Sequence, residues 1–240
     1  MNINPLKAEL LSQFPYKIEL HAHTYPASGC SEHTPTAIVK KYHELNYDAV
    51  VITNHFIYEK NAKMPKEEWL DWYLKDYYDA VKAAESLNIK VLLGAELRFK
   101  ENNNDYLLFG VDKDILAVCY DYLPTNLKTF RGEVNLENSV LVQAHPFRDH
   151  VTPVDASLVD GYETFNMHCH HNERNGLSVQ YAKVNGVTLK TIGTDYHHVA
   201  QEGFSALRTA TLPNNSFELS KILKNQNYIF EVSDDAIILP

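Results

Sequence analysis

The sequence predicts an α/β fold built as a single domain. Short apolar, β-branched segments alternate with amphipathic helical patterns, an order typical of strands joined by helices in a parallel sheet, open or closed into a barrel. No Ser/Gly linker, composition break or internal repeat divides the 240 residues, and this length can bury one sizeable core. We therefore expect residues 1–240 to form one domain.

The first third of the chain shows the alternation clearly. A strand is predicted at 17–20 and a helix at 35–45, since Thr34 is a good N-cap and proline occupies the first helical position. Residues 48–53 are apolar on both faces, as expected of a buried parallel strand. Residues 65–87 form a long amphipathic pattern, whose aromatic residues at helical spacing favour a core-facing stripe over ligand stacking.

The remaining elements follow the same rule. Further strands are predicted at 91–93, 106–111, 140–143, 161–165 and 188–192, and further helices at 112–122, 173–185 and 216–225. The tail from Glu202 to Pro240 is predicted to form a closing helix and strand. The segments 101–105 and 124–138 are read as loops.

Composition and charge restrict the partners. Asp and Glu total 31 against 22 Lys and Arg, a formal net charge of -9. Long nucleic acids are bound through many Lys and Arg contacts to phosphate, so this balance argues against such a partner. A small phosphorylated substrate remains compatible, since bound divalent cations reverse the local sign of the field. The oligomeric state is left open.

Segment properties indicate a cytoplasmic protein without a membrane partner. The first residues have neither a long apolar stretch nor a small-residue cleavage site, so no signal peptide is predicted. Apolar runs such as 49–52 are far too short to cross a bilayer. Cys30, Cys119 and Cys169 are odd in number and widely spaced, which indicates reduced thiols rather than disulfides.

Histidines and acidic residues cluster directly after the predicted strands. His21 and His23 follow the first strand, and residues two apart on an extended chain point to the same side, so both imidazoles can reach one ion. In barrels and open α/β sheets the carboxyl ends of the strands form the active site. Imidazoles and carboxylates are ligands of zinc, manganese or iron. The other residues placed in this way are His55, Glu96, His145, His168, His170, His171, Asp195 and His197.

The order of these residues resembles that of the PHP (polymerase and histidinol phosphatase) family, over roughly residues 17–200. The family's motifs appear as HAHT (21–24), TNH (53–55), GAE (94–96), AHP (144–146) and TDYH (194–197). The resemblance implies a distorted seven-stranded barrel, a cluster of two or three divalent metal ions, and metal-dependent phosphoesterase activity.

The resemblance also implies a ligand set for each ion. The first ion would be bound by His21, His23, Glu96 and Asp195. The second would share Glu96 and add His145 and one of His168, His170 and His171. The third would be bound by His55, His197 and a residue from the loop after the HxH pair.

Two positions depart from the family's pattern. Asn54 stands where the TDH motif has Asp, which we expect to alter the support of the metal site rather than metal binding itself. The loop after the HxH pair places Gly29 near the point where a ligand is usual. Glu32 or His33 could fold back as that ligand, or the third site could be weak or empty. Cys30 is a possible soft ligand, although a free thiol is the favoured interpretation.

The mechanism that the resemblance implies is attack on phosphorus by a hydroxide bridging two ions, which exists at neutral pH because coordination lowers the pKa of water. Asp195 and Glu96 are the expected catalytic ligands. Arg148 could grip a phosphate bidentately, with a surface arginine as the equal alternative. For Arg98 the surface role is favoured, and for His198 a loop role is favoured over that of a general acid.

Several functions remain open from the sequence. The leading expectation is hydrolysis of a small phosphomonoester, such as histidinol phosphate or a nucleotide, or of phosphotyrosine. The alternatives are a phosphodiesterase or short-oligonucleotide exonuclease, a metal-binding regulatory domain without catalysis, and an amidohydrolase.

Overall fold

A computed structural model describes residues 5–58, 64–233 and 236–240. The helices are α1 (Pro5–Gln13), α2 (Pro35–Glu44), α3 (Lys66–Ala84), α4 (Lys113–Tyr122), α5 (Leu127–Glu133), α6 (Asn175–Val184), α7 (Ser216–Asn225) and a 3-10 turn (Ala156–Leu158). The strands are β1 (Tyr16–Ala22), β2 (Ala49–Ile52), β3 (His55–Ile57), β4 (Lys90–Leu93), β5 (Ala95–Arg98), β6 (Tyr106–Phe109), β7 (Val140–Gln143), β8 (Gly161–Asn166), β9 (Leu189–Gly193), β10 (Ser205–Thr209), β11 (Tyr228–Val232) and β12 (Ala236–Ile238).

The described strands pair in two mixed six-stranded sheets, in the orders β12-β11-β10-β1-β2-β4 and β3-β5-β6-β7-β8-β9. The predicted parallel pairing is found for β1 with β2, β2 with β4, β3 with β5, β7 with β8 and β8 with β9. The prediction is wrong for β6, which is antiparallel to both neighbours. The strands of the tail, β10 to β12, for which no direction was predicted, also pair antiparallel. Residues 99–105 between β5 and β6 are too few for the crossover that a parallel pair needs. The α/β class is confirmed.

The two sheets are continuous along the chain. Residues 53–54 separate β2 from β3, and Gly94 alone separates β4 from β5. At the other side, β9 approaches β1 through a single parallel bridge between Ala22 and Tyr196. No closed sheet forms among the strands described, so the structure does not contain the predicted barrel as a fully paired ring.

The approach of β9 to β1 requires a glycine. A Cβ atom on Gly193 would lie 2.4 Å from the Cβ of His21 and 2.6 Å from Oε1 of Glu163. Any side chain at this position would therefore separate the two strands or displace both polar residues.

The apolar interior is shared by both sheets. One buried cluster joins side chains from strands of either sheet, including Leu20, Val51, Leu92, Leu107, Val142 and Ile192. Helices α3, α4 and α5 pack on the outside through a second cluster that includes the aromatic stripe predicted for residues 65–87. Trp69 and Tyr73 are buried there, while Trp72 and Tyr77 are partly buried. The packing role of the stripe is thus confirmed.

Element boundaries agree closely with the sequence prediction. Thr34 caps α2 by accepting from the backbone N of Ala37, and α7 spans the predicted residues. Five elements were not predicted: α1, β3, β5, β10 and β12. The segment 124–138 contains α5 rather than loop alone. None of the described helices has the length and apolarity needed to cross a membrane. The cysteines are free, and the cytoplasmic location stays a prediction.

Candidate metal centre

The polar residues that follow the strands meet at one edge of the molecule. We define an inner group by four buried side chains, which are His21, Glu96, His145 and Asp195. None of the four is more than 2% exposed. An outer group consists of His55, His197 and the thiol of Cys30, and it lies closer to the surface. His23, fully buried, lies between the two groups.

Glu96 contacts both groups through its two oxygens. Its Oε1 lies 3.4 Å from Nε2 of His21 and 3.2 Å from Nε2 of His145. Its Oε2 lies 2.6 Å from Nδ1 of His55 and 3.6 Å from Nε2 of His23. The parallel register of β3 and β5 produces this arrangement, because it sets His55 directly opposite Glu96.

Asp195 occupies the centre of the inner group. Its Oδ1 lies 3.4 Å from Nε2 of His21 and 3.2 Å from Nε2 of His23. Its Oδ2 is paired with the guanidinium of Arg148, which also binds Glu173 at 2.8 Å. Arg148 is thus occupied by two carboxylates, and its role in gripping a phosphate stays a prediction.

The backbone is strained at two of these residues. His145 has φ = 30° and Asp195 has φ = 54°, values that non-glycine residues rarely adopt. Such conformations cost of order 1–3 kcal/mol each and persist where the surroundings enforce them, commonly at functional sites. His145 is fixed by its backbone N–H, which donates to Oε2 of Glu163 at 3.0 Å.

Glu163 was not predicted from the sequence. It fixes the ring orientation of His21 and contributes to the raised pKa of that residue. Its Oε1 accepts from Nδ1 of His21 at 2.9 Å, so Nε2 of that ring faces Glu96 and Asp195. Burial alone would lower the pKa of His21, but Asp195, Glu163 and Glu96 raise it well above its ordinary value. A carboxylate on the far nitrogen is the usual support of a metal-binding imidazole. The signal available in the sequence was an acidic residue, Glu163, within the predicted strand 161–165.

Asp105 was also missed. It immediately precedes β6, and its Oδ2 lies 3.8 Å from Nε2 of His145. Because β6 runs antiparallel to β5 and β7, its amino end lies at the same edge as the carboxyl ends of its neighbours. Arg98 binds Asp105 through two hydrogen bonds of 2.7 and 2.6 Å, which gives Arg98 an ion-pair role.

His168 is the member of the 168–171 segment that reaches the cluster. It is 6% exposed, whereas His170 and His171 are exposed to solvent. The backbone N–H of His170 donates to Nδ1 of His168, so the neutral ring holds its proton on Nε2. Burial lowers the pKa of His168 to about 3. His168 could therefore bind an ion through Nε2 only if its ring left this hydrogen bond.

The loop after β1 places its polar residues differently from the expectation. Glu32 is exposed and pairs with His198 at 3.2 Å, and His33 stacks on Tyr196. Cys30, by contrast, contacts His55 and His197. Burial raises the pKa of the Cys30 thiol, but hydrogen bonds to His197 and His55 outweigh it and lower the pKa to about 5.

The environment keeps both central carboxylates ionised. Burial alone would raise the pKa of Glu96, but His55 and His21 hold it well below its ordinary value. Burial likewise raises the pKa of Asp195, and His21 and Arg148 outweigh it. Both groups are therefore available as anionic ligands at neutral pH.

Asn54 has a defined role in place of the aspartate of the TDH motif. Its Oδ1 accepts from the backbone N–H of Thr24 at 2.7 Å, which leaves its Nδ2 to donate to Oγ1 of Thr24, also at 2.7 Å. The hydroxyl of Thr24 in turn donates to the buried Asp76 at 2.8 Å. Because that single proton is already used, the neighbour at residue 54 must be a donor, and an amide satisfies this requirement.

The donor set fits divalent cations. Five buried atoms among the described residues of the site make no hydrogen bond: His21 Nε2, His23 Nε2, His55 Nδ1, Glu96 Oε2 and His145 Nδ1. Of these, His55 Nδ1 and Glu96 Oε2 lie 2.6 Å apart as an ion pair. Ligand atoms within 4.8 Å of one another occur in the groups His21–His23–Glu96, Glu96–Asp105–His145, His23–His55–His197 and His168–Asp195–His197. Buried polar atoms without partners are costly, and cations at these points would satisfy them. Imidazole and carboxylate ligands suit zinc, manganese and iron.

A cavity of about 620 Å³ opens beside the cluster. It lies between the segment that follows β8 and the start of α6, with His168, Met167 and Phe204 among its lining residues. Arg174 also lines it, and its guanidinium donates to the carbonyl of Phe147 and to Asp149. Cavities of this size accommodate small-molecule ligands.

Comparison with known proteins identifies the family. The family model described as PHP domain matches residues 19–234, whereas no curated protein matches the sequence.

A two-domain protein from Bacteroides vulgatus that contains a predicted PHP-like metal-dependent phosphoesterase is 14% identical, with a TM-score of 0.59 over 90% of this chain and 64% of that one. PsfC from Pseudomonas syringae is 15% identical, with a TM-score of 0.57 over 85% and 87%. A candidate metal-dependent phosphoesterase from Bifidobacterium adolescentis is 15% identical, with a TM-score of 0.50 over 75% and 87%. These structures share the fold, and because the PHP domain model matches most of the sequence, the chain belongs to the PHP family.

Proposed function

We propose that the protein hydrolyses the phosphate ester of a small molecule with the help of two or three divalent metal ions. The observation that supports this most strongly is the convergence of His21, His23, His55 and Glu96, whose buried nitrogen and oxygen atoms lack hydrogen-bond partners. Burying such groups without a cation would cost free energy. Membership of the PHP family agrees with a hydrolase.

The proposed ligand assignment follows the observed contacts. One ion would be bound by His21, His23, Glu96 and Asp195, a second by Glu96, His145 and Asp105, and a third by residues of the outer group. Of the three later histidines, His168 is retained as a ligand or hydrogen-bond donor, while His170 and His171 are dropped because they are exposed to solvent. Zinc, manganese and iron suit these ligands, with zinc favoured by the imidazole content.

The residues have separable tasks in the reaction. Bound cations supply Lewis-acid activation of water and of the phosphoryl oxygens. Glu163 keeps the Nε2 atom of His21 directed at the cluster. Arg148 holds Asp195 in its strained conformation through Oδ2, leaving Oδ1 directed at His21 and His23. The Nε2–H of neutral His168 would donate a hydrogen bond to a phosphoryl or leaving oxygen of the substrate.

The substrate is proposed to be a phosphomonoester rather than a polymer. The cavity beside His168 has the volume of a small-molecule pocket, and the net charge of -9 disfavours a long polyanion. We also propose that β1, β2-β3, β4-β5, β6, β7, β8 and β9 form the distorted seven-stranded barrel of the family. Their shared apolar interior and the β1–β9 bridge support this arrangement.

A comparison of three model substrates tests the proposal. Zinc- or manganese-loaded protein is assayed on an aryl phosphate, a bis-aryl phosphodiester and an aryl amide, beside the Asp195→Asn variant. We expect hydrolysis of the monoester at the highest rate, loss after chelation and loss in the variant. Preferential cleavage of the diester would indicate a phosphodiesterase, and cleavage of the amide alone would indicate an amidohydrolase. Metal binding without any hydrolysis would support the regulatory alternative.

A further inference from the structure

On the amino-terminal side of Cys30, Ser28 connects the loop after β1 to two of the proposed ligands. The Oγ atom of Ser28 accepts from the backbone N–H of His55 at 2.9 Å. The same Oγ atom lies 3.1 Å from Nδ1 of His23, so one hydroxyl connects both histidines two residues before the cysteine.

On the carboxyl-terminal side of Cys30, two further hydrogen bonds connect the loop to His23 and His197. The Oγ atom of Ser31 donates to the carbonyl of His23 at 2.9 Å. The backbone N–H of Glu32 donates to the carbonyl of His197 at 2.9 Å. Cys30 therefore lies between contacts to the ring of His23 and to the backbones of His23, His55 and His197. These contacts fix the loop backbone on both sides of the cysteine.

The thiol lies beside two of three neighbouring imidazoles. Of these two, His55 also contacts Oε2 of Glu96 at 2.6 Å and His197 contacts the carbonyl of Asp195 at 2.9 Å. The ring of His23 lies 4.3 Å from that of His55 and 4.2 Å from that of His197, centroid to centroid. The thiol of Cys30 lies within interaction distance of both His55 and His197. His23 is fully buried, and its Nε2 makes no hydrogen bond although ligand atoms of the other two rings lie within 4.8 Å.

We propose that Cys30 is a thiolate ligand of the outer metal ion, together with His55 and His197 and next to His23. This inference rests on the proposed metal-dependent function and assigns the loop ligand that the sequence left open. Glu32 and His33, the other donors of the loop, are turned toward His198 and Tyr196 and do not take this place.

A sulfur ligand changes which ion the outer site selects. Thiolates favour zinc and other soft ions, whereas manganese and magnesium favour oxygen ligands. The inner group offers carboxylates and imidazoles, so the two parts of one cluster have different preferences. Replacement of Cys30 by aspartate should therefore shift the outer site from zinc toward manganese, with little change at the inner group.

Cobalt spectroscopy tests the proposal without relying on activity. The full-length protein, freed of metal, is titrated with cobalt(II), whose ligand-field bands report binding and whose near-ultraviolet sulfur-to-cobalt charge-transfer band reports a thiolate ligand. We expect both signals in the wild type and in Cys169→Ser, which removes an exposed cysteine without a contact to His55 or His197. In Cys30→Ser the charge-transfer band should vanish while ligand-field bands remain.

The outcomes separate the two proposals. Ligand-field bands without a charge-transfer band in the wild type, or a charge-transfer band that survives in Cys30→Ser, would overturn the role of Cys30 while leaving the metal cluster intact. Absence of any cobalt binding would overturn the metal-dependent function itself. The affinity for zinc at the weakest site should fall at least about 10–100-fold in Cys30→Ser, because loss of a ligand should cost no less than loss of a residue that supports a ligand.

Alkylation of the wild-type protein provides a readout that needs no variant. Cys30 and Cys169 are exposed and Cys119 is buried, so iodoacetamide should label the first two. Labelling followed by peptide mass mapping should show zinc slowing the reaction at Cys30 while leaving Cys169 unchanged. Equal rates at Cys30 with and without zinc, under conditions where elemental analysis shows bound zinc at every site, would contradict thiolate ligation.

Discussion

The inner and outer groups of the centre are built from different parts of the fold. Glu96 lies within β5 and His21 lies within β1. His145 and Asp195 each lie two residues beyond the end of a strand, β7 and β9 respectively. All four are almost fully buried. The outer group takes His55 from the start of β3, where 14% of its side chain is exposed, and Cys30 from the loop after β1, where the residue is exposed.

The difference indicates a division between a fixed and an adjustable part of the centre. Strand-borne ligands are positioned by backbone pairing and packing, so their geometry resists change in the surrounding sequence. Loop residues tolerate substitution more readily and are a frequent location of functional variation. We expect the inner group to determine whether the protein binds metal at all, and the outer group to adjust which metal completes the cluster.

Glu96→Gln should have the largest effect, because this side chain connects the two groups. Its oxygens contact His21 and His145 on one side and His55 on the other, and an amide cannot supply two anionic ligand atoms. We expect phosphomonoesterase activity to fall at least about 100-fold, beyond the usual effect of losing a supporting residue. Steady-state kinetics with saturating metal measures this.

The matched control is Glu231→Gln. Glu231 is also a buried carboxylate, but it pairs with Arg208 in the β10–β11 region and takes no part in the centre. Comparable losses in the two variants would show that any buried charge is equally important, and the distinct role of Glu96 would be abandoned.

Glu163→Gln should weaken the inner group while sparing the outer one. The amide can still accept a hydrogen bond, but it loses the charge that stabilises the Nδ1 proton of His21. Removal of such a partner lowers metal affinity about 10–100-fold. Isothermal titration with zinc should show the tightest binding step weakened and the sulfur-to-cobalt band of the outer site unchanged. If only the sulfur-to-cobalt band changed instead, the proposed division between the inner and outer groups would be wrong.

Asn54→Asp should disturb the loop of the outer group by a smaller amount. The new carboxylate would face Oγ1 of Thr24, whose proton is already donated to Asp76. Leaving a buried polar atom unsatisfied costs about 1–3 kcal/mol. Asp76→Asn in the same chain should recover part of this, since the hydroxyl could then donate to residue 54.

Urea unfolding of the metal-free wild type, the two single variants and the double variant measures this coupling. We expect a favourable interaction of about 0.5 kcal/mol or more between the two substitutions, as residues that share one hydrogen-bond partner usually show. Strictly additive changes in the free energy of unfolding would refute the shared use of the Thr24 proton.

The inner group was largely predictable from the sequence because its positions follow a rule. His21, His145 and Asp195 come at the carboxyl ends of strands, and parallel strands bring those ends to one edge. Their sequence positions thus imply proximity without knowledge of the loops. The structure brings these residues together as expected, and their role as metal ligands stays a prediction.

The residues that were missed violate that rule for physical reasons. Asp105 precedes β6, and only the antiparallel direction of β6 brings it to the site. Glu163 lies within β8 and acts through His21 rather than at a strand end. Cys30 depends on the backbone course of a loop, which hydrogen bonds from Ser28 and Ser31 determine and residue spacing does not.

Metal content tests the central claim most directly. Protein purified without chelator or added metal is analysed by elemental mass spectrometry, beside an Asp195→Ala/His21→Ala variant whose folding is checked by circular dichroism. We predict two or three divalent ions per wild-type chain, with most of them lost in the folded variant. A wild-type chain that holds no metal and takes up none on reconstitution would contradict the account, as would a variant that retains the full complement.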